Sequence, residues 1–343
     1  MRNYFVIFLL LLDLSNCFAQ SEGNFLMYSV HYNKCMTNNL EQLSVCDPHA
    51  DSQQFRWISK DRILNIYTKK CLGVGSKTVG KKLEWLICED DNVLQMWECR
   101  SDLLLQLKNE SLYLSVNDNG VPLISEDTET KSQWTIQGTQ NNICSRPYEE
   151  LYTIYGNAHG RPCHFPFKYQ DKWYADCTNI NSNNPWCAVE SDYSVSEIWG
   201  NCPTHEINTR LWVKNPLTNF YYQLNDESDL TWHEANKSCQ QQGAELLSVS
   251  EPYEYIFVSG MIVKRRSFLW TGLNKVDEFS GQQRTNGNPG TKPDDICGAL
   301  LTSSGLEMID RPCSEKHGYI CQKGRSVPTA PPATSMKSFC IKI

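Results

Sequence analysis

The chain has 343 residues, a formal net charge of −7 and 16 cysteines. An acidic balance of this size argues against general nucleic-acid binding, and the length exceeds one ordinary hydrophobic core, so two or three domains are expected. There is no C-x-x-C pair and the seven histidines are scattered, which argues against zinc and thioredoxin-type redox sites and for structural disulfides in an exported protein.

The opening MRNYFVIFLLLLDLSNCFAQ has a positive Arg2, an apolar run over Tyr4–Leu12, and Cys17 and Ala19 at −3 and −1 of a cleavage site. Residues 1–19 read as a secretory signal peptide. The longest later apolar run, Tyr255–Val263, stops at Lys264-Arg265-Arg266 and is too short to span a bilayer. As given, the chain is expected to be secreted or extracellular with no membrane span of its own, or to be part of a cell-surface type I membrane protein if it is a fragment of a longer receptor. Cys17 leaves with the signal, so an odd cysteine remains, and Cys340 in the tail is the obvious one.

Residues 20–142 contain an internal repeat. QQFRW, LQMW and KSQW place a glutamine ahead of Trp57, Trp97 and Trp134, and KCMT, KCLGV and LYLSV stand upstream of them. Three units of short strands, each giving one Trp to a shared core, predict a β-trefoil. With CDPHADSQQFRWIS and LICEDDNVLQMWEC, the segment resembles the ricin-type cysteine-rich domain of the macrophage mannose receptor family. That resemblance implies disulfides Cys35–Cys46, Cys71–Cys88 and Cys99–Cys144, although the spacing alone leaves other pairings open. Family members that bind sulfated sugars stack the ring on a Trp shortly before the last core Trp, where this chain has Lys131. Lys69, Lys70, Lys77, Lys81 and Lys82 cluster beside Trp85. Lys77, Lys81, Lys82, Trp85 and Lys131 are therefore the candidate residues for a sulfated glycan. Asn109-Glu-Ser is a glycan acceptor sequence.

Residues 149–204 contain CHFPFKYQDKWYADC and NNPWC. Phe165 and Phe167 flank Pro166 at a period of two and are expected to pack inward. The cysteines and aromatics resemble a fibronectin type II module, which implies bridges Cys163–Cys187 and Cys177–Cys202. A module this small rests on its bridges, each adding about 2–5 kcal/mol. The resemblance also implies a ligand pocket of Tyr174, Trp186, Tyr193 and Trp199 for collagen, gelatin or choline head groups. Aromatic faces suit such apolar or quaternary groups. The family's Gly-Arg-x-Asp-Gly before the Trp-Cys pair is replaced here by TNINSNNPWC, so its peptide-binding Arg is missing.

Residues 207–323 contain DLTWHEANKSCQQQGAELLSVS. Thr231 and Glu234 make a capping box. Trp232, Ala235 and Cys239 share one face of a helix that Gly243 ends. With WTGL, DDICGAL and CSEKHGYIC, this segment resembles an α+β C-type lectin-like domain, implying Cys239–Cys321 and Cys297–Cys313. The family's calcium positions fall on Asn288, Asp295 and Asp310, but Gly290 and Ile309 offer no side-chain oxygen. Calcium is not expected to bind. Asn236-Lys-Ser is a second glycan acceptor sequence. Residues 324–343 read as a Pro/Thr/Ser-rich linker with a truncated tail.

No H-E-x-x-H, G-x-S-x-G or glycine-rich phosphate loop occurs, so no enzyme and no cofactor are expected. The expected architecture is disulfide-rich and multi-domain: trefoil, type II module and lectin-like domain. Its order resembles the ectodomain of a mannose-receptor-like endocytic receptor that binds collagen, gelatin or glycoprotein glycans and no nucleic acid. The alternative is a secreted, binding-poor glycoprotein acting as spacer or decoy.

Overall fold

The computed structural model describes residues 23–101, 103–249, 252–262, 268–272, 296–302 and 307–324. The signal segment, Asn288, Asp295 and Cys340 lie outside them. The chain divides into two compact units, Met1–Glu150 with Phe165–Asp176, and Leu151–His164 with Cys177–Ile343. No helix among the described residues is long and apolar enough to cross a membrane.

The first unit is all strand and short turn: β1 (Met27–Ser29), β2 (Lys34–Cys35), β3 (Phe55–Ile58), β4 (Arg62–Asn65), β5 (Lys70–Val74), β6 (Leu83–Leu86), β7 (Trp97–Cys99), β8 (Leu105–Leu107), β9 (Tyr113–Val116), β10 (Pro122–Ser125) and β11 (Trp134–Ile136). They form three sheets, β11-β1-β2, β3-β4-β5-β6 and β7-β8-β9-β10, closed on one core that contains Trp57, Trp97 and Trp134. The repeat is real, but its first member is displaced. A 3-10 turn precedes β3, β7 and β11, and the strand residues that follow are Phe55, Trp97 and Trp134. Their N–H groups bond the carbonyls of Phe25, Asp61 and Leu103 at 2.9, 2.8 and 2.9 Å. Phe55 is thus the counterpart of the two tryptophans, and Trp57 enters the core two residues later, its indole N–H on the Ile143 carbonyl at 3.0 Å. Trp97 and Trp134 donate to the matching carbonyls of Leu72 and Leu114, both at 2.9 Å.

The glutamines have a separate role. Gln53 accepts from Asp47 N–H at 2.9 Å and donates to the Val45 carbonyl at 2.8 Å. Gln95 accepts from Glu89 N–H at 3.1 Å and donates to the Ile87 carbonyl at 2.6 Å. Each clamps the chain around a bridged cysteine, Cys46 or Cys88. In the third repeat Ser132 stands at this place and reaches the Asp127 carbonyl at 2.6 Å. The hairpin of β12 (Phe167–Tyr169) and β13 (Lys172–Tyr174) completes the first unit.

The second unit holds β14 (Trp186–Ala188), the four-residue helix α1 (Tyr193–Ser196), β15 (Trp199–Asn201), β16 (Val213–Lys214), β17 (Tyr221–Leu230), α2 (Trp232–Gln240), β18 (Glu245–Leu246), α3 (Pro252–Met261), β19 (Phe268–Trp270), β20 (Ile296–Leu301), β21 (Glu307–Pro312) and β22 (His317–Lys323). β16-β17-β22-β19-β20-β21 make one sheet, with β18 on β22. The capping box at Thr231 forms, with Thr231 N–H on Glu234 Oε2 at 2.8 Å. Ala235 and Cys239 are fully buried, while Trp232, on the same face, is half-buried and ties its indole N–H to the Thr271 carbonyl at 2.7 Å. Among the described residues seven disulfides are closed: Cys35–Cys46, Cys71–Cys88, Cys99–Cys144, Cys163–Cys187, Cys177–Cys202, Cys239–Cys321 and Cys297–Cys313.

Candidate functional site

Three of the four aromatic residues expected to form a pocket come together in the second unit. β14 and β15 pair antiparallel with Trp186 opposite Asn201 and Ala188 opposite Trp199. Trp186 and Trp199 are therefore diagonal neighbours on one face, within reach of large rings. Their centroids lie 6.4 Å apart at 82°. Tyr193 meets Trp186 edge-on at 5.4 Å. It is placed by Asp192, whose carboxylate accepts from Ser194 N–H at 2.9 Å to start α1, a side-chain cap of the usual kind.

The backbone around Trp199 depends on two glycines. A Cβ on Gly156, where φ is +82°, would meet the Trp199 carbonyl oxygen at 2.4 Å, and one on Gly200 would meet the Thr153 side chain at 2.4 Å. Asn157 then brackets Trp199, accepting from its N–H at 2.8 Å and donating to its carbonyl at 3.0 Å.

The rings are not equivalent. Trp186 is 5% exposed and its indole N–H bonds the Ile180 carbonyl at 2.9 Å, so it is the floor of the cluster, whereas Tyr193 and Trp199 are half-buried and present ring surface. Tyr174 belongs to the first unit, on β13, where its ring stacks on Phe167 at 5.4 Å and 22°. Phe165 and Phe167 are both buried. Trp173, beside Tyr174, is an exposed ring that the family pattern does not single out; alternation along β13 is the signal that marks it. The segment replacing the Arg loop folds on itself, with Ser182 donating to the Asn184 carbonyl at 2.8 Å. It offers amides and a hydroxyl in place of a guanidinium.

The lysines of the first unit are engaged locally. Lys77 lies 2.5 Å from Glu110, Lys81 3.2 Å from Glu84 and Lys82 3.3 Å from Glu41. Lys131 pairs with Asp118, which raises its pKa through that hydrogen bond. Trp85 donates to the Asn38 carbonyl at 2.8 Å and stacks on Phe55 at 5.9 Å. It packs against the core.

Of the calcium positions only Asp310 is described. It stands on β21 opposite Gly298. Its neighbour Ile309 packs against the lectin-like core. Among the described residues the one convergence of potential metal ligands is Cys163, Cys187 and Cys202, whose sulfurs belong to two disulfides. Asn109 lies in an exposed turn, while Asn236 is half-buried in α2 and its sequon partner Ser238 is buried against the Tyr319 hydroxyl at 2.7 Å.

Modules and bridges define a disulfide-rich, mostly β, multi-domain protein with fibronectin type II and C-type lectin-like domains. Family models match in that order: an MRC2-like, N-terminal cysteine-rich domain over residues 21–145, a fibronectin type II domain over 163–202 and a lectin C-type domain over 228–323. C-type mannose receptor 2 of Homo sapiens is 34% identical over 323 residues, 87% of this chain and 22% of the receptor. Lymphocyte antigen 75 of Mus musculus is 31% identical over 323 residues, 89% of this chain and 18% of that protein. The crystal structure of rhodocetin aligns with a TM-score of 0.28 and 23% identity over 34% of this chain and 97% of that one. The chain belongs to the mannose receptor family, and it spans 22% of the length of C-type mannose receptor 2.

Proposed function

We propose that this chain is a non-catalytic extracellular binding protein of the endocytic-receptor type, and that its principal ligand is collagen-like peptide held on the type II module. The observation that carries this reading is the arrangement of Tyr193 and Trp199 around the buried Trp186. A fixed floor with two partly exposed rings is a rigid aromatic surface. Proline-rich chains in the polyproline II conformation dock on such surfaces because they lose little entropy and offer flat apolar rings. The contact needs no metal and no titrating group. Glycan recognition through the first unit is the second part of the proposal, and the paired lysines make it the weaker part.

The test is retention of the chain on immobilised gelatin, competed by a soluble proline-rich peptide. Retention lost on competition supports the reading. A chain that passes unretained supports the spacer or decoy alternative.

A further inference from the structure

Between Cys177 and Thr209 the chain carries Glu190, Asp192, Glu197 and Glu206 and no lysine or arginine. Trp186, Tyr193 and Trp199 all lie inside this stretch, so the ring surface stands in an acidic field. The acids nearest the rings differ in their surroundings. Glu190 lies 3.3 Å from Arg161. Asp192 accepts from the Ser194 N–H at 2.9 Å and from the Ser194 hydroxyl at 2.6 Å, neutral donors that leave its charge in place. Glu197 is exposed, and no cation pairs with it among the described residues.

Glu197 ends α1 in the left-handed region, with φ 53°. Glycine, and after it asparagine, takes that place at low cost, whereas a side chain such as glutamate strains the backbone. Strain of this kind collects at functional sites. Here the conformation is held from both sides. Glu197 N–H bonds the Tyr193 carbonyl at 2.8 Å, and the Glu197 carbonyl accepts from Asn157 Nδ2 at 3.0 Å. Asn157 Oδ1 in turn accepts from the Trp199 N–H at 2.8 Å. One backbone bond thus ties Glu197 to Tyr193, and one asparagine ties it to Trp199. Two residues of chain span at most about 7 Å, so Glu197 and Trp199 have backbones closer than the Debye length of about 8 Å in physiological salt. A charge at that range acts on whatever the rings hold.

A ligand suited to this surface combines flat apolar rings with a nearby positive charge. An acidic peptide would meet repulsion, and a small free cation would leave the ring faces unused. Proline followed by arginine or lysine meets both demands, because the long side chain has an apolar stem and its head can lie over an aromatic face. We propose that Glu197 is the specificity-determining residue of the type II surface, selecting proline-rich segments in which an arginine or lysine adjoins the docked prolines. This rests on the collagen-peptide reading above and narrows it: the rings hold the prolines, and Glu197 chooses their neighbour.

The experiment uses the full chain and three labelled peptides in equilibrium binding, identical proline–glycine runs with arginine, glutamine or glutamate at one central position. The wild-type chain is expected to bind them in that order, arginine roughly tenfold more tightly than glutamate, from an exposed ion pair and a cation–ring contact together. The ratio should shrink in about 1 M salt, where the Debye length falls to about 3 Å. Glu197→Gln is expected to reduce it to about threefold, and Glu197→Lys to abolish it. Equal binding of the three peptides by wild type, or the full arginine preference kept by either folded variant, overturns this proposal and leaves the aromatic reading standing. Binding of none of the three overturns the aromatic reading and this proposal with it. Should a variant fail to fold, the ranking of the peptides by the unaltered chain at low and high salt decides.

Discussion

Arg56 and Asp176 form an ion pair at 2.5 Å that joins the first repeat of the cysteine-rich domain to the hairpin of the type II segment. The same guanidinium donates to the Ala175 carbonyl and lies 5.6 Å from the centroid of the Phe165 ring. The five aromatics between Cys163 and Cys177 are too many for that loop to bury alone, and part of the cover for Phe165 comes from β3.

Arg56→Ala is therefore expected to loosen the hairpin. Asp176 is 57% exposed, which weakens the ionic part, so the loss should be on the order of 1–2 kcal/mol from the cation–π contact and the hydrogen bonds. Hydrogen exchange at Phe167 and Tyr174 is the readout. Protection should fall there first, and protection unchanged from wild type would show that the hairpin needs no such support.

The two glutamine clamps give a second prediction. Gln95 is fully buried and makes both of its clamp bonds to backbone. Gln95→Ala removes two hydrogen bonds from a fully buried side chain, at about 0.5–1.5 kcal/mol each, while their backbone partners on Glu89 and Ile87 belong to exposed residues. Ser132→Ala removes a single hydroxyl bond and should cost less. Thermal unfolding of the two variants orders them; the reverse order would contradict the assignment of the clamp.

Alkaline pH should destabilise the fold in a defined window. Burial is the first cause that raises Tyr148, Tyr155 and Tyr222 to about 12, aided at Tyr222 by its bond to Glu254; Tyr319 is raised as well by complete burial. Unfolded tyrosine titrates near about 10. Raised folded values mean that the stabilisation is fully present below that pH and is lost as pH rises through about 12. Phenolate absorbance followed with unfolding should show a late, cooperative rise. Non-cooperative ionisation of all tyrosines near the ordinary value would contradict the raised values of these four, of which Tyr222 and Tyr319 are fully buried.

The lysines beside Trp85 should bind sulfated glycan weakly, because Lys77, Lys81 and Lys82 each have a carboxylate within 3.3 Å. Replacing Glu41 and Glu110 by glutamine removes two of those competitors. The variant should elute from a sulfated-polysaccharide column at higher salt than wild type. Identical elution would remove this loop from consideration.

Cysteine spacing, the capping box at Thr231 and the α2 face were legible in the sequence because each is a local pattern. The repeat was legible in its period but not in its phase: Phe55 occupies the place of a Trp, and a nearby Trp57 hid the substitution. The resemblance names four rings for the pocket without ranking them, and Trp186 is the buried one while Tyr193 and Trp199 are half-buried. The burial of Trp186 depends on Tyr193, Trp199 and the Ile180 carbonyl, which the spacing of aromatics cannot rank. Tyr174 stacks on Phe167, a pairing set by the β12–β13 register. Contacts such as Arg56 with Asp176 join residues far apart in sequence, and no local pattern announces them.

The most direct measurement is equilibrium binding to immobilised gelatin by wild type and Trp199→Ala, each with calcium and with EDTA. A central aromatic contact typically contributes 2 kcal/mol or more, so the variant should bind roughly thirtyfold more weakly, with wild-type affinity the same in EDTA. Equal binding by wild type and variant, or binding abolished by EDTA, would contradict an aromatic, metal-independent site on the type II module.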